Sequence, residues 1–171
     1  MKPSLTDTLC TRCGLCCDGS IFADVELASG DEASALEATG LEIEDDDGGG
    51  GGLLVQPCGA LKGRWCSIYP HRPDCCRTFE CRLLQQVGGG EVGVEQAKET
   101  IAETLQRIQR VEELMVQLGT GHERQPLKER CVEALALSES AANPAMKAKR
   151  AELQAAMTSV ERFLQTTFLG G

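Results

Sequence analysis

The chain has 171 residues, 42% of them hydrophobic and only 4% aromatic, so we expect a mainly aliphatic core in one ordinary domain or two small ones. Its formal net charge is -9 and it carries no basic stripe, which argues against a nucleic-acid partner. No stretch approaches the roughly 18 apolar residues that a membrane helix needs, so no membrane partner is expected either.

Ten cysteines are the most unusual feature of the composition, and nine of them lie between Cys10 and Cys81. Residues 1–10 contain no apolar segment typical of a secretory signal, so a cytoplasmic location is expected. In that reducing compartment, clustered cysteines are more often metal ligands or redox groups than disulfides. The N-terminal half is therefore predicted to fold around one or more metal centres.

The first cysteine set occupies residues 10–17, which read Cys-Thr-Arg-Cys-Gly-Leu-Cys-Cys. Cysteines at positions i, i+3 and i+6 allow a tight turn to direct three sulfur atoms at one centre. Gly14 permits the backbone conformation that such a turn needs. The side chains of Cys16 and Cys17 diverge in extended backbone, which allows them to serve different centres.

Short elements are predicted between the first cysteine set and the second. Phe22–Leu27 favours an extended segment, and Ser29 with Glu32 forms a capping box that starts a short helix closed by Gly40. The segment Glu42–Gly52 contains five acidic residues and five glycines. Charge repulsion and glycine entropy therefore predict a solvated loop without regular structure.

A β-hairpin is predicted from two strand-like segments, Leu53–Gln56 and Trp65–Tyr69, with Gly59 and Gly63 between them. The second cysteine set lies on and after this hairpin and comprises Cys58, Cys66, Cys75, Cys76 and Cys81. A metal shared by the two sets would join segments roughly 40 to 60 residues apart, and a small module with few aromatic residues gains most from such a link.

The composition changes after Gly88–Gly90, where helical periodicity begins. Apolar residues at spacings of three and four predict a helix of about 24 residues from Val94 to Leu118. A second, shorter helix is predicted with Pro126 at its first position, and a third is predicted to be capped by Asn143.

The predicted fold class is therefore α+β. A small metal-stapled cysteine-cluster module with a short β-hairpin occupies residues 1–87, and an all-helical hairpin or three-helix region occupies residues 91–169. Cys131 shares a helix face with Leu127 and Leu135 in the second region, so it is predicted to be a core thiol.

Two kinds of metal centre fit the cysteine pattern. Eight thiolates could form two tetrahedral zinc sites, and Cys-x2-Cys-Gly turns are common in zinc knuckles. The third cysteine at i+6 matches the Cys-x2-Cys-x2-Cys run of bacterial ferredoxins, although Asp18 stands after Cys17 where those proteins have proline. Iron–sulfur is slightly favoured over zinc. Arg72 and Arg77 are either donors to thiolate sulfur or surface residues with acidic partners.

Several spaced motifs, which agree in order over about residues 10–82, resemble the YkgJ-type cysteine cluster family, a zinc- or iron-chelating domain. The matching motifs are Cys10-x2-Cys13-Gly14-x-Cys16-Cys17, Pro57-Cys58, Cys66-Ser67-Ile68-Tyr69 and Arg72-Pro73-x2-Cys76-Arg77-x-Phe79-x-Cys81. The resemblance implies eight metal ligands: Cys10, Cys13, Cys16, Cys17, Cys58, Cys66, Cys76 and Cys81. Flagellin lysine methylases are similar in this cluster.

The chain departs from the family pattern in two places. Cys75 is an extra thiol beside the matching Cys76, which leaves open which of the two is the ligand. An insertion rich in Asp and Gly at residues 44–52 also lengthens the loop between the two cysteine sets.

Three functions are compatible with these patterns. The first is a cysteine-thiolate metal-binding protein whose metal serves a structural, metal-handling or electron-transfer role. The second, which is less favoured, is an enzyme of the thiol-redox or protein lysine methylase-like type. A methylase would need a site for its methyl donor, and no nucleotide-binding βαβ unit is evident. The third is an adaptor whose C-terminal helices bind a protein partner while the metal is only structural.

Overall fold

The computed structural model describes residues 4–48, 50–120, 124–137 and 143–170. The structure is 59% helical and 8% strand, which confirms the α+β class. The chain divides into two compact units. Unit 1 comprises residues 1–80 with 124–126, and unit 2 comprises residues 81–123 with 127–171. The independence of the regions 1–87 and 91–169 stays a prediction.

Unit 1 opens with helix α1, Leu5–Cys13, which the sequence patterns above do not predict. The helix begins with a reciprocal cap, in which the Asp7 N–H donates to Ser4 Oγ at 3.0 Å and the Ser4 N–H donates to Asp7 Oδ2 at 3.1 Å. It ends at Gly14, whose φ of 69° is the left-handed conformation that glycine adopts at helix C-termini.

A three-stranded antiparallel sheet forms the centre of unit 1. Its strands are β1, Asp24–Glu26, β2, Ile43–Glu44, and β3, Leu53–Val55, with β3 in the middle. Helix α2, Gly30–Glu37, begins at Ser29 as predicted, because the Ser29 hydroxyl accepts the Glu32 N–H. The sheet and α2 enclose a small core of buried residues: Leu27, Ala33, Leu36, Leu41, Leu54 and Ala60.

The prediction of a loop without regular structure over Glu42–Gly52 is wrong at both ends of that segment. Strand β2 pairs with β3, and the Leu27 N–H donates to the carbonyl oxygen of Gly52 at 2.9 Å. A Cβ atom at Gly51 would lie 2.5 Å from the Leu27 carbonyl oxygen, so glycine is required for this close approach. Backbone hydrogen bonds therefore order both ends of a segment that charge repulsion alone would leave solvated.

The predicted hairpin is present, but its first strand is not the predicted one. Strand β4, Leu61–Lys62, pairs with β5, Trp65–Cys66, whereas Leu53–Val55 joins the sheet. The two-residue loop between β4 and β5 begins with Gly63 at φ 63°, the position where a type II′ turn needs glycine. A 3-10 turn at Tyr69–His71 and helix α3, Asp74–Thr78, follow.

Unit 2 is helical. Its helices are α4, Arg82–Gly88, α5, Val94–Gln117, α6, Leu127–Leu137, and α7, Pro144–Leu164, and a π-helical turn follows at Gln165–Leu169. Helices α5, α6 and α7 pack on one another, which corresponds to the three-helix alternative. Asn143 caps α7 as predicted, and Cys131 is buried. Among the described helices, none is long and apolar enough to cross a membrane.

We expect residues 81–171 to unfold cooperatively as an isolated fragment, and to be more stable than residues 91–171. The longer fragment keeps α4, which packs against α5 and the π-helical turn and buries Leu83, Leu84 and Val87. Loss of a buried side chain of this kind costs roughly 1.5 to 3 kcal/mol. Thermal melts of both fragments by circular dichroism test this, and a longer fragment without a cooperative transition would contradict it.

Candidate metal centre

The first cysteine set forms a compact turn at the end of α1, called here the knuckle (residues 10–18). Cys10 and Cys13 lie in the last turn of the helix, and Gly14 then reverses the chain. The Gly14 carbonyl oxygen accepts the N–H groups of Cys17 at 2.9 Å and Asp18 at 3.0 Å, while Leu15 is completely buried. The knuckle is thus fixed by the backbone and by one apolar anchor.

Cys58 of the second set is hydrogen-bonded directly to the knuckle. Its N–H donates to the Cys17 carbonyl oxygen at 2.8 Å and to Gln56 Oε1 at 3.0 Å. Gln56 is itself buried at 2% exposure and directly follows strand β3. The sheet therefore holds Cys58 beside Cys17.

Cys66 is placed next to Cys58 by the hairpin. The Leu61 N–H donates to the Cys58 carbonyl oxygen at 3.0 Å, and Leu61 is paired with Cys66 across the two strands. The Ser67 N–H and hydroxyl both donate to the Ala60 carbonyl oxygen at 2.8 Å, which closes the loop at the other side.

The thiols of unit 1 lie close enough to influence one another electrostatically. The pKa of Cys17 is raised to about 12, first by burial and then by the thiols of Cys58, Cys66 and Cys10, with Asp18 also contributing. Burial is also the main cause that raises the pKa of Cys58, and Cys66 adds to it. Four cysteines, two in the knuckle and two in the hairpin with its preceding turn, therefore lie within electrostatic range of one another and are called here the cluster.

Cys76 joins this cluster, whereas its neighbour Cys75 has a different environment. The Sγ atoms of the two residues lie 4.0 Å apart and share a hydrogen bond. That bond and burial raise the pKa of Cys76, and Cys17 and Cys58 contribute to the rise. The same bond lowers the pKa of Cys75 to about 7, and Cys75 packs against the small apolar core of unit 1.

The structure brings several of the predicted ligands of unit 1 together. Electrostatic effects on the pKa values of Cys17 and Cys76 link five of them: Cys10, Cys17, Cys58, Cys66 and Cys76. Cys13 and Cys16 share the knuckle with Cys10 and Cys17. Cys81 precedes α4 at the start of unit 2. Within the described part of the chain, no three Cys, His, Asp or Glu side chains are arranged so as to hold a metal ion.

The chemistry of the donor set nevertheless fits a thiophilic metal. Burial and mutual repulsion both oppose deprotonation of these thiols, and a bound cation reverses both effects by stabilising the thiolates. Zinc and iron are the biological metals most often held by several cysteine thiolates.

The two arginines considered from the sequence as thiolate donors have other contacts. Arg77 pairs with Asp74 one helical turn earlier at 2.8 Å, and the Arg72 guanidinium lies 3.9 Å from the centre of the Tyr69 ring. The arginine that reaches the knuckle is Arg64, which donates to the Cys13 carbonyl oxygen at 3.4 Å and pairs with Asp18. A hairpin loop at Gly63 is the signal that could have drawn attention to it.

Fold and thiol arrangement together define a small cysteine-cluster domain followed by helices. A family model described as "Putative zinc- or iron-chelating domain", with the signature CxxCxxCC, matches residues 9–102, more than half of the chain. The chain belongs to this family, which confirms the predicted cysteine-cluster relationship and supports zinc or iron chelation. No curated protein matches the chain, and no solved structure does either.

Gly14→Ala should lower the stability of the protein and disturb the knuckle. Alanine in the left-handed conformation costs about 1 to 2 kcal/mol, and its Cβ would also lie 3.1 Å from the Cδ atom of Arg64. Gly40→Ala is the matched control, because Gly40 also has a positive φ of 86° but nothing lies within 4 Å of the added Cβ. Equal losses in melting temperature for the two variants would contradict a specific role of Gly14.

Proposed function

We propose that this chain is a cysteine-thiolate metal-binding protein in which zinc or iron holds unit 1 together. The observation that carries the proposal is the set of mutually acting thiols contributed by three separate segments: the knuckle, the hairpin with its preceding turn, and α3. The candidate ligands are Cys10, Cys13, Cys16, Cys17, Cys58, Cys66, Cys76 and Cys81. Cys81 belongs to unit 2, and it is proposed as a ligand because of its place in the family pattern.

A structural role for the metal is supported by how little else stabilises unit 1. Its strands are two or three residues long, and its main apolar core contains six residues, two of which are alanine. Sheets and cores of this size are marginal without a disulfide or a metal. Ligation by thiolates from distant segments would supply the missing stability, since metal binding and folding are then one process.

Between the two metals, an iron–sulfur centre is the finer proposal. Its support is the run of Cys10, Cys13 and Cys16 at intervals of three, which bacterial ferredoxins share. An iron–sulfur centre would also be able to carry an electron, whereas zinc would be purely structural or a cargo. Inorganic sulfide distinguishes these alternatives directly.

The protein purified under anaerobic conditions should contain stoichiometric zinc or iron, with acid-labile sulfide if the centre is an iron–sulfur cluster. Elemental analysis and a sulfide assay measure both. Cys17→Ser should lower metal content and melting temperature together, because ligation and folding are coupled. Cys131→Ala is the control, and it should keep the metal while costing about 1 kcal/mol in packing.

Two results would contradict this proposal. A folded wild-type protein without metal after anaerobic purification would remove the metal-binding function itself. Metal loss in Cys131→Ala equal to that in Cys17→Ser would show that the measured metal is not held by the unit 1 cluster.

The pair Cys75 and Cys76 gives a second, sharper test of the ligand set. Cys76→Ser should lose metal, because Cys76 matches the cysteine of the family pattern and its pKa is influenced by Cys17 and Cys58. Cys75→Ser should retain the metal, because the pKa of Cys75 is shifted mainly by its bond to Cys76 and by burial. The two variants differ by one position in the same short helix and so control for each other. Retention of metal by Cys76→Ser together with its loss from Cys75→Ser would reverse the assignment.

A further inference from the structure

Arg64 connects the hairpin that carries Cys66 to the knuckle, without being a ligand itself. It lies in the loop between β4 and β5, two residues before Cys66. Its Nη1 atom donates to the Asp18 carboxylate and, at 3.4 Å, to the Cys13 carbonyl oxygen. These partners lie 46 and 51 residues away in the sequence, so the contacts link the hairpin to the knuckle.

Asp18 is fixed for this interaction by the knuckle itself. Its Oδ1 atom accepts the Ser20 N–H at 2.8 Å, while its Oδ2 atom receives the Arg64 guanidinium. The Asp18 side chain is only 17% exposed, and the aliphatic part of Arg64 packs over Gly14, which leaves little space between them. The Arg64 side chain is 39% exposed, so the pair is desolvated mainly at the carboxylate, and it differs from pairs within one helical turn because it joins two distant chain segments.

Other basic residues near the cysteines have local partners. Lys62 of the same hairpin donates to the Gly59 carbonyl oxygen at 3.1 Å, and Arg77 pairs with Asp74 within α3. Neither of these bonds joins the hairpin to the knuckle. Of these three basic residues, Arg64 is the one whose contacts join the hairpin to the knuckle.

We propose that Arg64, through Asp18 and the Cys13 carbonyl oxygen, is a positioning residue that sets the distance between the knuckle thiols and Cys66. This inference rests on the metal centre proposed above. Thiolates that form on the two segments when a cation binds would repel each other, and the guanidinium bridge opposes their separation as a second link beside the Cys58–Cys17 hydrogen bond. Residues that orient ligands in this way typically change metal affinity 10- to 100-fold when they are removed.

The test uses Co²⁺ bound to the full-length apoprotein, with two readouts: affinity against a competing chelator and the thiolate-to-cobalt charge-transfer absorption. Arg64→Met should weaken Co²⁺ binding roughly tenfold and alter the charge-transfer band. Arg64→Lys should restore most of both properties, because an ammonium group can still reach Asp18. Lys62→Met is the matched control, since it removes one exposed positive charge from the same hairpin without breaking a link to the knuckle, and it should behave like the wild type.

Asp18→Asn tests the positioning role by the same two measurements if Arg64→Met does not fold. The site becomes more negative when Co²⁺ replaces the protons of several neutral thiols, so removal of the Asp18 charge would tighten Co²⁺ binding if only electrostatics mattered, whereas loss of the bridge weakens it. Weaker binding with an altered band supports positioning, and unchanged or tighter binding overturns it. A folded Arg64→Met with wild-type affinity and spectrum overturns the inference alone. A wild-type protein that binds no Co²⁺ overturns the proposed metal centre as well.

Discussion

The hydrogen bond from the Cys58 N–H to the Cys17 carbonyl oxygen is the contact on which the rest of unit 1 depends. It joins the knuckle to the chain that leaves the central strand, and Gln56 holds Cys58 in place from the other side. The hairpin that carries Cys66 starts directly after this point, so its thiol is brought to the same place. The arrangement of the two cysteine sets thus begins with a backbone interaction that needs no thiolate chemistry.

Gathering thiols in this way creates a conflict that the fold alone does not resolve. Burial and neighbouring thiols raise the pKa of Cys17 to about 12, so the apoprotein keeps this group neutral. A small apolar core offers little free energy to offset further repulsion. A bound cation would make the proximity of these thiols stabilising, so the proposed metal binding would also stabilise unit 1. The Arg64–Asp18 pair adds a second link between the knuckle and the hairpin.

Local signals in the sequence predict much of the helical part but less of unit 1. The spacing of apolar residues predicts α5 to within one residue at its end, and Ser29 and Asn143 begin the predicted helices. Helix α1 is missed because its capping box uses Asp7, and the partner of Leu53–Val55 is wrong because short strands carry too few side chains to specify pairing. Cysteine spacing indicates the ligand set, but the bridge from Arg64 to Asp18 has no periodic signal.

The choice between Cys75 and Cys76 shows why sequence alone could not complete the site. Adjacent residues of an α-helix point about 100° apart, so the two thiols have different surroundings even though their Sγ atoms lie 4.0 Å apart. Helix α3 starts at Asp74, directly after Pro73, and this start fixes its rotation. Cys75 consequently packs against the apolar core, and Cys76 acts on Cys17 and Cys58. A helix beginning one residue earlier would place Cys75 in the position that Cys76 now occupies, and no pattern of cysteines in the sequence records where it begins.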